Sequence, residues 1–153
     1  MIIRRAQPED AKTLSLLSMR SKAHWGYNDA FMRACEEELS DSPEDVADKE
    51  RHYGVAEIDN KVVGFYRLED TSQPKMSLLS LFIEPEIMGK GVGKSLFEDA
   101  CDAAQSMGAN SIDIQSDPYA ETFYQKMGAK TVGKLESGSI EGRFLPLMTF
   151  EID

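Results

Sequence analysis

From Glu84 to Ser95 the chain reads EPEIMGKGVGKS, a run whose residue types and spacing imply chemistry directly. Glycines stand at 89, 91 and 93, with Lys90, Val92 and Lys94 between and after them. Before them, Leu78 to Ile83 is an apolar run of strand length, ended at Glu84-Pro85 because proline has no N–H to give a sheet. After them, Val92, Leu96, Ala100, Ala103 and Met107 recur on one face of a helix. A strand that passes through glycines into a helix start leaves the first helical amides without internal partners, and the helix dipole adds partial positive charge there. Glycine lets that backbone come close to a ligand. Amides of this kind beside two lysines make an anion site, and phosphate is the usual anion.

Two phosphate-binding patterns fail here by one residue each. The P-loop pattern G-x-x-x-x-G-K-[ST] needs a glycine where Met88 stands, and the dinucleotide pattern G-x-G-x-x-G needs one at Lys94. A second stretch, Lys22 to Asn28 (KAHWGYN), gathers the sole tryptophan, one of two histidines and a tyrosine in a connection between helices. Such loops carry function, but Trp25 could equally be a plug for the core. His24 and His52 have no neighbours at metal-ligand spacing, and Cys35 and Cys101 fall on apolar helix faces outside any C-x-x-C pair. We expect buried free thiols and no metal.

The elements that must position these residues follow from pattern. Ile2 to Arg5 is an edge strand. Pro8, Glu9 and Asp10 start a helix with Ala11, Leu14, Leu17 and Ser21 inward, ending before Gly26. Asn28 caps a second helix with Phe31, Cys35 and Leu39 inward, and Glu36-Glu37-Glu38 reads as its solvated flank. Ser42-Pro43-Glu44-Asp45 opens a short helical turn. Tyr53 to Ile58 and Lys61 to Leu68 form a hairpin about Asp59-Asn60. Beyond the long helix, closed at Gly108, come a strand at Ser111 to Gln115 and a helix opened by Asp117-Pro118 that carries Ala120, Phe123, Tyr124 and Met127. Strands at Thr131 to Leu135 and Leu147 to Ile152 flank a polar loop, Glu136 to Arg143. The class is α+β, a mixed and mostly antiparallel sheet flanked by helices, in one domain spanning 1–153.

Bulk properties narrow the function. The net charge of −10 repels a nucleic-acid backbone, and the surface suits a cationic second ligand. No apolar run approaches the roughly 20 residues of a membrane span, and the first residues, MIIRR, lack the apolar stretch of a signal peptide. The expected location is cytoplasmic.

Met88-x-x-Gly91-x-Gly93, preceded by Pro85-Glu86 and followed by Lys94-x-Leu96, resembles the pyrophosphate loop of the GNAT superfamily of N-acetyltransferases, with its pattern [RQ]-x-x-G-x-[GA]. Met88 departs from it, which removes a polar side chain but no backbone amide. Phe123-Tyr124-Gln125-Lys126-Met127-Gly128-Ala129 is similar to the F-Y-x-K-x-G-F segment of the same superfamily, and Asp117-x-x-Ala120 stands where N-x-x-A is common. The order of elements matches that fold over the whole chain. Residues 22–28 and 142–148 look like a bacterial branch of the family, a likeness that names no substrate.

The resemblance implies acetyl-CoA as cosubstrate and a primary amine, on a small molecule or peptide, as acceptor by direct attack. Met88, Gly89, Lys90, Gly91, Val92, Gly93 and Lys94 would hold the pyrophosphate. A bulge at about Leu81, Phe82 and Ile83 would free a strand edge for the pantetheine arm and an N–H for the oxyanion. Asp117 sits at the cofactor's edge, although a carboxylate has no hydrogen to donate. Tyr124 would be the general acid toward the thiolate, and Glu84, through water, a base for the amine. His24, Trp25 and Tyr27 would form the acceptor pocket, facing the strand end near Glu84. No metal, nucleic acid or membrane partner is implied, and the oligomeric state stays open, a homodimer included. Two alternatives remain at this point: an acyl-CoA-binding sensor or docking module without turnover, and a P-loop-type nucleotide binder.

Overall fold

A computed structural model describes residues 1–152 of the chain. The strands are β1 (Ile2–Arg5), β2 (Arg51–Ile58), β3 (Lys61–Glu69), β4 (Lys75–Ile83), β5 (Ser111–Gln115), β6 (Lys130–Glu136) and β7 (Phe144–Glu151). The helices are α1 (Ala11–Ala23), α2 (Asp29–Cys35), α3 (Pro43–Ala47), α4 (Val92–Ser106) and α5 (Glu121–Lys126). The strands form one seven-stranded sheet in the order β1-β2-β3-β4-β5-β7-β6. Every neighbouring pair is antiparallel except β4 and β5. This is the expected α+β class.

Both faces of the sheet are covered. Leu14 and Leu17 of α1 pack on Tyr53, Val55 and Phe65. On the other face Leu96, Phe97, Ala100 and Ala104 of α4 pack on Ala56, Tyr66, Leu68, Met76 and Ile112. Adjacent residues such as Val55 and Ala56, or Phe65 and Tyr66, therefore serve opposite layers, and β2 and β3 are buried continuously at their centres. The Asp59-Asn60 turn has positive φ at both residues, 52° and 65°, as a two-residue hairpin with native twist requires.

Local chemistry accounts for most boundaries. Asn28 accepts from the Phe31 N–H at 2.8 Å and so caps α2. Ser42 and Asp45 form a reciprocal capping box at α3. Some expected faces differ. In α2 the buried residue is Met32 beside Cys35, while Phe31 is only partly buried and stacks on Tyr27 at 4.0 Å. In α4, Phe97 and Ala104 join the buried stripe, whereas Met107 caps the helix and is 37% exposed. Helical period alone does not say where the sheet beneath a helix ends. Cys35 is buried and Cys101 only partly so; both thiols are free. Among the described residues no helix is long and apolar enough to cross a membrane.

Candidate active site

A break in the sheet makes the site. β4 and β5 pair from Lys75/Ser111 to Leu78/Ile114 and then part. Leu79 drops out of the β3–β4 register, which passes from Leu68↔Leu78 to Arg67↔Ser80. The bulge thus lies at Leu79, not at Leu81 to Ile83 as the sequence reading placed it, and residues 79–83 form the open edge. A bulge bends its strand and ends pairing on one side. Along that edge the Glu84 N–H turns to Val63 at 2.8 Å, while the Ile83 N–H turns the other way, to Ser21 Oγ at 3.4 Å. Alternation then puts the Leu81 N–H on the open side with that of Ile83, and Phe82 offers the cavity its ring instead.

Through the break runs a cavity of about 460 Å³. Gly91, Gly93, Phe123 and Tyr124 line it from the α4 side, and Trp25, Leu39 and Phe82 from the α1–α2 side. It therefore passes through the sheet.

On the α4 side, Gly89 and Gly91 have φ of +82° and +86°, and a Cβ on either would meet nothing within 4 Å. These positions exclude side chains by backbone conformation and leave open space beside the loop. Gly93 is different: its Cβ would lie 2.8 Å from Ile83 Cδ1 and 3.3 Å from Phe123. Glycine there lets α4 seat against β4. The Val92, Gly93 and Lys94 amides precede the first helical bond, Ser95 N–H to Gly91 O at 3.1 Å, so they stand free at the dipole's positive end. Lys94 lines the cavity; Lys90 and the buried Val92 side chain do not. Met88 lines it with an apolar chain.

Tyr124 is 6% exposed, packed against Phe97 and Phe123, and faces the cavity. Its hydroxyl makes no hydrogen bond among the described residues. Burial first, and the Asp117 charge second, push its pKa well above that of an ordinary phenol. It is a proton donor, not a base, across the neutral range.

The α1–α2 side departs from expectation. Trp25 is no core plug: it is 38% exposed and stacks on Tyr119 at 5.2 Å with the rings 4° from parallel. His24 is exposed at the edge of Trp25 and outside the cavity lining. Tyr27 lies behind the wall, its hydroxyl on Asp117 at 3.0 Å. Trp25 and Tyr27 meet Tyr119 and Asp117, not Glu84, and His24 meets the Trp25 ring. Glu84 is 6% exposed, takes the Arg20 Nε–H at 3.0 Å and lies outside the cavity lining. A buried carboxylate needs a partner, and α1 supplies one; Glu84 is thus neither free nor placed to meet an amine.

Sequence reading passed over Glu38, Arg67, Tyr119 and Arg143, all of which line the cavity. Arg67 is neutralised by Asp41 at 3.0 Å, and Arg143 by Asp117 at 3.3 Å. Glu38 takes the Ser139 hydroxyl at 2.6 Å and forms no ion pair among the described residues. Glu38 had looked like one of three solvated glutamates; only the return of the β6–β7 connection singles it out. Among the described residues no group of three or more His, Cys, Asp or Glu could hold a metal ion.

Residues 14–139 match the model of the acetyltransferase (GNAT) domain family. The chain belongs to the GNAT acetyltransferase family. This GNAT chain is 31% identical over 149 residues to the peptidyl-lysine N-acetyltransferase YjaB of Salmonella typhimurium, covering 95% of this chain and 94% of the relative. Its fold matches the PaiA N-acetyltransferase of Thermoplasma acidophilum in complex with coenzyme A, with a TM-score of 0.79, 22% identity and 98% of each chain covered. It also matches the aminoglycoside 6′-N-acetyltransferase of Enterococcus faecium, with a TM-score of 0.70, 22% identity, and 100% of this chain and 98% of that one covered. As a GNAT enzyme it is an acetyltransferase, and the P-loop alternative falls with that family match.

Proposed function

We propose that the protein transfers the acetyl group of acetyl-CoA to a primary amine, on a small molecule or a peptide, by direct attack. The observation that supports this best is one cavity that joins a helix-start anion site, an open strand edge and an unpartnered phenol to an aromatic wall on the opposite face of the sheet.

When bound, acetyl-CoA supplies an acetyl group activated as a thioester. The residues present fit it. The free amides of Val92, Gly93 and Lys94, with the Lys94 charge, bind the pyrophosphate, and Lys90 adds potential from outside the cavity. The Leu81 N–H is the free donor for the amide-like arm or the acyl oxygen, and the Ile83 N–H joins it by leaving its long 3.4 Å contact with Ser21 Oγ. The acceptor ammonium gives one proton to solvent before it attacks; Tyr124 then gives its proton to the leaving sulfur, and the second proton of the amine nitrogen restores the phenol. Trp25 and Tyr119 offer ring faces to an incoming ammonium, an attraction of about 0.5–2 kcal/mol. Glu38 replaces Glu84 as the carboxylate that meets it.

Thiol release from acetyl-CoA against a panel of amines tests this reading. The 31% identical relative is a peptidyl-lysine N-acetyltransferase, so lysine peptides head the panel. Release above the rate with acetyl-CoA alone is the expected result for at least one amine. Acetyl-CoA, and not ATP with magnesium, should raise the melting temperature, because only a native-state ligand stabilises. A raised melting temperature with no amine turned over would point instead to an acyl-CoA-binding module.

A further inference from the structure

The Asp117 carboxylate gathers more partners than any other group in the cavity wall. Both of its oxygens accept from the Tyr27 hydroxyl, at 3.1 and 3.0 Å. Lys22 Nζ and Arg143 Nη2 each reach it at 3.3 Å, and the Tyr119 backbone N–H at 2.9 Å. Arg143 also donates to the Tyr27 oxygen at 2.8 Å. The Tyr27 hydroxyl is thus a relay, taking from the guanidinium and giving to the carboxylate. Burial first, then the Asp117 charge, push the Tyr27 pKa above that of an ordinary phenol, so the relay keeps its proton.

The partners come from separate parts of the chain. Lys22 ends α1, Tyr27 lies in the connection to α2, Tyr119 in the turn before α5, and Arg143 in the β6–β7 connection. The Lys22 and Arg143 cations also sit over the Tyr27 and Phe31 rings, at 4.9 to 5.9 Å from their centroids. Tyr119, capped by Asp117, is the ring on which Trp25 stacks. One carboxylate thus closes three loops around one mouth of the cavity.

Every group that meets Asp117 is a donor. A carboxylate has about four acceptor positions and no hydrogen, so it serves such a ring of donors, and these contacts fill it. An asparagine would set its NH₂ against one of the cations. The same saturation leaves nothing with which to accept from, or donate to, the cosubstrate arm.

We propose that Asp117 is a positioning residue of the acceptor wall, acting through Tyr27, Arg143 and Lys22 to hold the Trp25–Tyr119 pair over the cavity mouth, and not a ligand of the cosubstrate. The inference rests on the reading of the cavity given above. Trp25 is the sole tryptophan, so its fluorescence reports on this wall alone and needs no acceptor.

The test compares the wild-type chain with Asp117→Asn by acrylamide quenching of Trp25 and by calorimetry with CoA. With the charge removed, the quenching constant should rise about twofold or more as the wall opens locally. CoA affinity should stay within about twofold. A larger loss of CoA affinity, or unchanged quenching in the folded variant, overturns the proposal. A structural role spread over the whole chain would lower the melting temperature without exposing Trp25 in the folded state. If Asp117→Asn does not fold, Tyr27→Phe keeps the ring, removes only the relay hydroxyl and is judged by the same two outcomes. Wild-type protein that does not bind CoA would strike the cosubstrate assignment and leave the Trp25 comparison standing.

Discussion

The two ends of the cavity are built from different materials. On the α4 side the chain uses backbone: free amides at a helix start, two glycines at positive φ and a strand edge opened at Leu79. On the α1–α2 side it uses side chains drawn from four separate segments and tied at Asp117. A backbone site is fixed by the fold and tolerates changes such as Met88, which remove a side chain and no amide. A side-chain site can be rebuilt loop by loop without disturbing the sheet. On the function proposed above, the backbone end serves what is common to acetyl transfer and the side-chain end selects the acceptor, and substitutions can test the division.

The largest effect should come from the one side chain that the backbone end requires. Tyr124→Phe keeps the ring and its packing and removes only the donor, so kcat should fall on the order of 10²-fold while acetyl-CoA affinity holds. A change within about twofold would return the proton to water. Next, Gly91→Glu puts bulk and negative charge where φ is +86° beside the free amides; at least about a tenfold loss of acetyl-CoA affinity is expected by calorimetry. Unchanged binding by a folded Gly91→Glu chain would reject the loop as the anion site. At the other end, Glu38→Gln removes the charge without an ion pair, and acceptor KM should rise roughly fivefold, about 1 kcal/mol, with acetyl-CoA affinity unaltered. Should both ends respond to Glu38→Gln, the division fails. Trp25→Ala should raise acceptor KM and cost no more than about 0.5 kcal/mol of stability, since the ring is 38% exposed. The smallest effect belongs to His24→Ala, expected to leave both KM values as they are, because His24 stands outside the cavity lining.

The same division explains what could be read from the sequence. Glycine spacing, helical period and the Glu84-Pro85 stop are local signals, and they led to the end of β4, the start of α4 at Val92 and the sheet class. The bulge lies two residues before the expected stretch, because nothing in LLSLFI marks Leu79 apart from its neighbours. Glu84 looked like a free strand-end carboxylate until α1 brought Arg20 to it across 64 residues. Glu38 gave no signal, and Arg143 stood out only as part of the 142–148 likeness, since their use depends on how the β6–β7 connection folds back toward Glu38 and Tyr27. Trp25 was open between plug and wall; only its exposed stack on Tyr119 decides.

A passage that opens on both faces of the sheet also has a bearing on kinetic order. Two molecules that reach the break from opposite faces need not wait for one another, and neither product must depart before the second reactant arrives. Initial-rate lines at several fixed acetyl-CoA concentrations should intersect rather than run parallel. CoA should compete with acetyl-CoA alone, and the acetylated amine with the amine alone. A single molecule spanning the bulge at Leu79 would engage both faces at once and gain from their effective concentration.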